Sequence, residues 1–129
     1  LKDQTLSIEA SDDSVSCDRS WTAEALSNIV KNCMEHTPAG GRIRVIASTN
    51  ALFAEIRVQD SGAGIDRADL PYIFDRFYKG RNAAPGSVGI GLAMARAISE
   101  AQGGSLEARN ALAGGAEFAL RFPTVGTPR

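Results

Sequence analysis

Short alternations of apolar and polar residues run through most of the chain, broken by two stretches that repeat at helical spacing. Leu6, Ile8 and Ala10 alternate with Ser7 and Glu9, which predicts a strand with one buried face. Ser11-Asp12-Asp13-Ser14 reads as a turn, and Val15-Ser16-Cys17 begins a second strand. Asp18 or Ser20 is placed to cap a helix running to about His36. At about 100° per residue, Leu26, Ile29, Val30 and Cys33 group on one side of it. Thr37-Pro38-Ala39-Gly40-Gly41 stops this helix, since proline cannot continue the ladder and glycine frees the backbone. Ile43, Val45 and Ala47 then alternate with Arg42, Arg44 and Ser48. Thr49-Asn50-Ala51 is a tight turn, and Phe53 to Asp60 returns as the second strand of a hairpin.

The second half is richer in glycine. Asp66 is placed to cap a short helical turn, and Pro71 to Phe77 reads as another. Lys79 to Gly91, with Gly80, Gly86, Gly89, Gly91 and Pro85, reads as a long mobile loop, a length that usually carries function or disorder. A helix follows from about Gly89 to Ala101, with Ile90, Met94, Ala97, Ile98 and Ala101 at helical spacing and Gly103-Gly104 ending it. Leu106 and Ala108 mark a strand. Gly114-Gly115 turns it back into the alternation Ala116, Phe118, Leu120, Phe122. The predicted order is ββαββ(α)αββ. It describes an α+β two-layer sandwich, a mixed sheet of about five strands packed on about three helices on one face.

Composition narrows the function classes. The 129 residues, 43% of them apolar, suffice for one domain with one core. Fourteen basic and 15 acidic residues leave a formal charge of −1, which argues against nucleic-acid binding by bulk charge. Two cysteines, Cys17 and Cys33, are too few for a disulfide scaffold. A single histidine, His36, argues against multi-histidine metal sites, and no G-x-S-x-G supplies a serine for a hydrolase triad. No run reaches the roughly 18 apolar residues that span a bilayer, so no direct membrane contact is expected of this segment. Residues 1–10 carry Asp3 and Glu9 and lack the apolar region of a signal peptide. A start at Leu1 and an end at Thr127-Pro128-Arg129 read as a piece of a longer protein.

Three places carry candidate chemistry. Asn28 and Asn32 lie at i and i+4 on the helix, away from its apolar side, with Glu35 and His36 one turn on. Asparagine is a poor helix former, costing on the order of 0.5 kcal/mol relative to alanine. The pair reads either as solvated residues or as an amide row for Mg²⁺ or phosphate oxygens. Asp60 falls on the apolar face of its strand with Ala54, Ile56 and Val58 and is followed at once by Gly62 and Gly64. An inward carboxylate needs hydrogen-bonding partners. Asp60 either caps a turn or forms a pocket floor that accepts a bond from a ligand amine. Gly86-Ser87-Val88-Gly89-Ile90-Gly91-Leu92 opens directly into a helix, whose N-terminal N–H groups attract phosphate. It is neither a Rossmann fingerprint, lacking a preceding strand, nor a P-loop, lacking Gly-Lys-Ser/Thr. Upstream, Arg76, Lys79 and Arg81 are either a solvated basic patch or the charge complement of a triphosphate.

In this order and spacing, the chain resembles the catalytic and ATP-binding domain of bacterial sensor histidine kinases. That domain has a Bergerat-type fold and sits in the GHKL superfamily with gyrase, heat-shock chaperone and mismatch-repair ATPases. Asn28 to Pro38 resembles the N box, and Asp60-Ser61-Gly62-Ala63-Gly64-Ile65 the first glycine box. Ile73 to Lys79 resembles the F box, and Gly86 to Leu92 the second glycine box. Gly114 to Pro123 resembles the closing hairpin. The resemblance implies that Asp60 accepts from the adenine amino group and that Gly62 and Gly64, with Ile65 beside them, bring backbone against the base. It implies that Asn32 holds Mg²⁺, that Asn28 supports the phosphates, and that His36 lies near adenine or sugar. Tyr78 to Gly89 would be the ATP lid, with Gly89, Ile90, Gly91 and Leu92 placing a helix N-terminus at the phosphates. Arg76, Lys79 or Arg81 would supply positive charge, and Phe74 and Phe77 would anchor the lid or pack in the core. ATP, ADP as product, and Mg²⁺ are the implied ligands.

Two positions depart from the family pattern. Glu35 stands where a basic residue is common, with Lys31 one turn back, and Ala116 stands where threonine or serine often helps bind the base, a role that a water can take. The hydrolytic ATPases of the superfamily place a water-activating glutamate four residues before the magnesium asparagine. Here that position is Asn28, an amide without useful basicity, which points away from a free-standing ATPase. No phosphoacceptor motif occurs, and the sole histidine lies inside the nucleotide motif. The expected function is transfer of the γ-phosphate to a histidine on a separate dimerisation helical hairpin, then to a response-regulator receiver domain. The implied location is cytoplasmic, tethered to a membrane by segments outside this chain, in keeping with reduced cysteines. The alternatives are an anti-sigma-factor serine kinase, a nucleotide-sensing binding module without phosphotransfer, and an interaction domain with a dead pocket.

Overall fold

The hairpin predicted from the Arg42–Asp60 alternation forms, and its register sets the sheet. The computed structural model describes residues 3–10, 19–78 and 90–123. Its strands are β1 (Thr5–Ala10), β2 (Arg42–Thr49), β3 (Phe53–Asp60), β4 (Ser105–Asn110) and β5 (Ala116–Pro123). The helices are α1 (Arg19–His36) and α2 (Gly91–Ala101), with a 3-10 turn at Leu70–Tyr72. The five strands lie in the order β1-β2-β3-β5-β4, with β1 parallel to β2 and every other neighbour antiparallel.

Period-two side chains turn this register into a two-faced sheet. Val45 opposes Val58, Val58 opposes Phe118, and Leu106 opposes Leu120, so one face is apolar from β2 to β4. Ala25, Ile29 and Cys33 of α1 and Ala95 and Ile98 of α2 pack into the same core. Both helices therefore cover that single face. The opposite face is charged but paired. Glu117 accepts from Gln59 Nε2 at 2.6 Å and from Arg109 Nε at 2.7 Å. Glu55 accepts from Arg121 Nε at 2.7 Å and meets Arg57 at 3.1 Å.

Local chemistry closes the turns as expected. Asn50 Oδ1 accepts from Leu52 N at 2.8 Å and Phe53 N at 2.9 Å, the Asx geometry that folds the β2–β3 hairpin. Gly103 takes φ +77° after α2, and Gly104 N donates to Ser99 O. The helix α1 begins at Arg19, which puts Ser20 inside its first turn, while Asp18 lies outside the described residues.

Three expectations change. The described residues form two α-helices and one three-residue 3-10 turn rather than about three helices. Pro71 sits within that turn and has no N–H to extend it, and the stretch to Phe77 continues as turns. The first strand has no buried face. All six of its residues are exposed, with Leu6 and Ile8 at 54% and 68%, because β1 is an edge strand on the flank of the sheet. Phe77 is not a core residue either: it is exposed at φ 65°, a left-handed backbone rare for a bulky side chain. The predicted strand at Val15-Ser16-Cys17 and the loop at 79–89 lie outside the described residues.

The ion-paired face has a pH signature. Burial alone would raise the Glu117 carboxyl pKa, but hydrogen bonds from Gln59 and Arg109 and the nearby Arg57 outweigh it and hold the group below the usual carboxylate value. A carboxyl depressed in the folded state stabilises the fold above its unfolded pKa, near 4.3, and this contribution is lost as pH falls through the lower folded value. Glu117→Gln should therefore lower stability near neutrality and flatten its fall between about pH 6 and pH 3. Urea midpoints of both proteins across that window check this, and parallel curves would contradict it.

Candidate functional site

The site is assembled at the end of β3, where the strand delivers Asp60 inward with only 7% of its surface exposed. Asp60 Oδ1 accepts from two backbone amides, Gly62 N and Ala116 N, each at 3.0 Å. A buried carboxylate is tolerable on such terms. Its surroundings are backbone at close range. A Cβ on Gly115, which sits at φ +80°, would lie 1.9 Å from the Asp60 carbonyl oxygen, and one on Gly62 would lie 2.3 Å from the His36 carbonyl oxygen. The first glycine box thus runs directly under the last turn of α1. His36 is half-buried there, and Glu35 is exposed.

Gly64 takes φ +85° against the Asn110 side chain, and Asn110 clamps the next residue from both sides. Its Oδ1 accepts from Ile65 N at 2.6 Å, and its Nδ2 donates to Ile65 O at 2.9 Å. Ile65 packs against the core. Asn110 was not singled out by its sequence. Its one signal is position, an asparagine closing a strand just before the Gly114-Gly115 turn.

The other end of the site lies between the two helices. Asn28 and Asn32 are both half-buried rather than solvated. The Asn28 side chain reaches to 3.9 Å of the Cβ position of Gly91, the first residue of α2. Among the described residues, Asn28 Nδ2 is buried without a hydrogen-bond partner. The residue preceding α2, half-buried Ile90, gives no side-chain cap, and no acidic residue occupies the first turn. The N–H groups and dipole of that helix start, next to an amide donor without a partner among the described residues, suit an anion. Leu92, one residue into α2, packs against the core.

Around the 3-10 turn, the Tyr78 hydroxyl donates to the buried Asp69 carboxylate, and the Tyr72 and Tyr78 rings lie 5.6 Å apart. The structure thus turns Tyr78 toward the domain body. Arg76 is exposed with its guanidinium 5.4 Å from the Phe77 ring, whereas Phe74 packs against the core beneath Arg96. Lys79, Arg81 and Gly89 lie outside the described residues. Asp60, Gly62, Gly64, Ile65 and His36 are therefore gathered at one end, and Asn28 with Gly91 at the other. Asn32, one turn after Asn28, stands on the helix that joins them.

A buried carboxylate thus stands at one end of the site, and a helix start without a side-chain cap, beside an amide unpartnered among the described residues, at the other. The sequence profile of the histidine kinase-, DNA gyrase B- and HSP90-like ATPases matches residues 17–126, and the chain belongs to that family. It is 36% identical over 106 residues to the sensor histidine kinase RppB of Synechocystis sp., covering 80% of this chain and 23% of that protein. It is 39% identical over 105 residues to the signal transduction histidine-protein kinase AfsQ2 of Streptomyces coelicolor, covering 80% of this chain and 19% of that one. The chain thus spans about a fifth of the length of these relatives. Among solved structures, the mycobacterial sensor histidine kinase MprB superposes with a TM-score of 0.84 at 25% identity, covering 94% of this chain and 84% of that one. The nucleotide-free catalytic domain of the histidine kinase ThkA gives 0.80 at 25% identity, covering 95% and 81%.

The close packing at Asp60 is testable through two adjacent glycines. Gly114 and Gly115 both have positive φ, but a Cβ on Gly114 meets nothing within 4 Å. Gly114→Ala should cost only the left-handed backbone term, about 1–2 kcal/mol. Gly115→Ala should cost clearly more, because its methyl must push the Asp60 carbonyl away and with it the bond from Ala116 N. Equal urea midpoints for the two variants would contradict that.

Proposed function

We propose that this chain is the catalytic and ATP-binding domain of a two-component sensor kinase, and that it donates the γ-phosphate of Mg-ATP to a histidine on a separate dimerisation and phosphoacceptor helical hairpin. From there the phosphate passes to a response-regulator receiver domain. The observation that carries this reading is the division of the site between Asp60 and the Asn28–Gly91 pair. Asp60 offers an acceptor to the exocyclic amine of adenine, with Gly62 and Gly64 laying backbone against the base and His36 beside base or sugar. Asn28 Nδ2, left without a partner, donates to a phosphate oxygen beside the start of α2.

The donor set fits a magnesium ion. Amide oxygens are hard ligands, and Mg²⁺ in nucleotide sites takes most of its shell from phosphates and water rather than from a protein cage. Among the described residues no group of three or more His, Cys, Asp or Glu side chains stands close enough to form such a cage. Asn32 would hold the ion with Asn28 in support. Magnesium supplies charge neutralisation to the phosphates. The chain's own residues orient the nucleotide and keep water unactivated, since Asn28 has no basicity to offer it. Positive charge comes from Arg76, Lys79 or Arg81. Among the described residues no helix is long and apolar enough to cross a membrane, and we place the domain on the cytoplasmic side of a membrane-anchored kinase.

Calorimetric titration with Mg-ATP, ADP and adenosine tests the two ends separately. Asp60→Asn should weaken all three by at least about ten-fold, the worth of a hydrogen bond to a charged group. Asn32→Ala should weaken Mg-ATP and leave adenosine untouched. Phosphate should appear on a supplied phosphoacceptor hairpin, with no steady release in its absence. No binding of Mg-ATP by the parent chain would overturn the kinase reading.

A further inference from the structure

The first glycine box begins on Asp60 and ends on Ile65, and both ends are tied to the same hairpin, β4–β5. The tie at Asp60 uses backbone: Ala116 N donates to Asp60 Oδ1 at 3.0 Å. The tie at Ile65 uses a side chain, that of Asn110.

Strand parity puts Asn110 where it can do this. On β4, Leu106, Ala108 and Asn110 share one face, with Leu106 in the core and Ala108 packed against it. Asp60 likewise ends the row Ala54, Ile56, Val58 on β3. β5 lies between these two strands, and Asn110 stands opposite its first residue, Ala116. Two polar side chains thus close two apolar rows on either side of Ala116. The loop 61–64 crosses from one to the other past the start of β5.

The tie at Ile65 needs a side-chain amide. Asn110 Oδ1 accepts from Ile65 N at 2.6 Å and Asn110 Nδ2 donates to Ile65 O at 2.9 Å, so one planar group meets both the donor and the acceptor of one residue. A carboxylate of the same shape has no donor for that carbonyl, and a methyl group offers neither. Asn110 is exposed, and hydrogen bonds that exchange with water contribute modestly to stability. Two bonds to one residue nonetheless fix where that residue stands. The amide also rests against the box backbone, since a Cβ on Gly64 would lie 2.6 Å from Asn110 Oδ1.

We infer that Asn110 is a positioning residue for base binding: its amide holds the far end of the first glycine box and so sets the Gly62–Gly64 backbone at a fixed span from the Asp60 carboxylate before a base arrives. This deepens, and rests on, the nucleotide reading given above. A loop held in advance loses no further freedom on binding, and its contribution to affinity arises there.

The test compares Asn110→Ala, which removes both bonds, with Asn110→Asp, which keeps the shape and an acceptor but loses the donor. Calorimetric titrations at neutral pH are run where circular dichroism shows each protein fully folded, so that lost stability alone leaves affinity unchanged. Asn110→Ala should lose about three- to ten-fold in affinity for adenosine, ADP and Mg-ATP alike, because the phosphate end is untouched. Asn110→Asp should lose at least as much for uncharged adenosine, since its second oxygen faces the Ile65 carbonyl. Parent-like adenosine binding by either variant, or a loss confined to Mg-ATP, would overturn the inference. Amide hydrogen exchange gives a second readout that needs no ligand. The Ile65 N–H should be protected in the parent chain and exchange faster in Asn110→Ala, with the amides of β3 and β5 unchanged. Equal protection of Ile65 in both proteins, or a loss of protection spread over β3 and β5, would overturn the inference. A parent chain that protects Ile65 but binds none of the three ligands would refute the kinase reading instead.

Discussion

A charged carboxylate placed at the end of a buried strand is the constraint around which this domain is arranged. Asp60 has little access to water, so its solvation must come from the protein. Two backbone amides provide it. They come from different parts of the chain, the loop after β3 and the start of β5. For both to reach one side chain, Gly115 must lie against the Asp60 carbonyl and Gly62 against that of His36, approaches that no side chain at those positions would permit. Gly62 of the first box and Gly115 of the closing hairpin follow from that packing even before any ligand is considered.

The two ends of the site are built on different materials. At the Asp60 end, strand backbone and tight turns set the geometry. At the Asn28 end, the geometry depends on how α1 and α2 lie on the sheet, and the groups on offer are a helix start and an amide. The first arrangement suits reading the edge of a base. The second suits phosphates, whose recognition depends on charge and number of donors more than on the plane of any one of them.

Most of the fold was legible because its signals were local. The alternations at residues 42–60 and 116–122, the Asx turn at Asn50 and the helix stop at Thr37-Pro38 each act within a few residues. Misreadings arose where burial depended on distant partners. Leu6 and Ile8 carry the alternation of a buried strand, yet their sheet neighbour is β2 alone and they remain exposed. Phe77 has the composition of a core residue and the backbone of a turn. Asp60 was conspicuous as a charge among apolar positions. Asn110 was not, because its partner Ile65 is 45 residues away in sequence.

The parallel pairing of β1 with β2 has a kinetic meaning. Thr5 and Arg42 come together only after the whole of α1 has been laid across the sheet, so this closure spans far more chain than the β2–β3 hairpin. The strand also buries little surface in return. An edge strand with so little buried surface belongs to the low-stability end of the fold, where amide hydrogens exchange first when the native state breathes. When it leaves, the edge of β2 is uncovered with Ile43 and Val45 upon it, and a partly open molecule of this domain presents to its neighbours a ready template for strand addition.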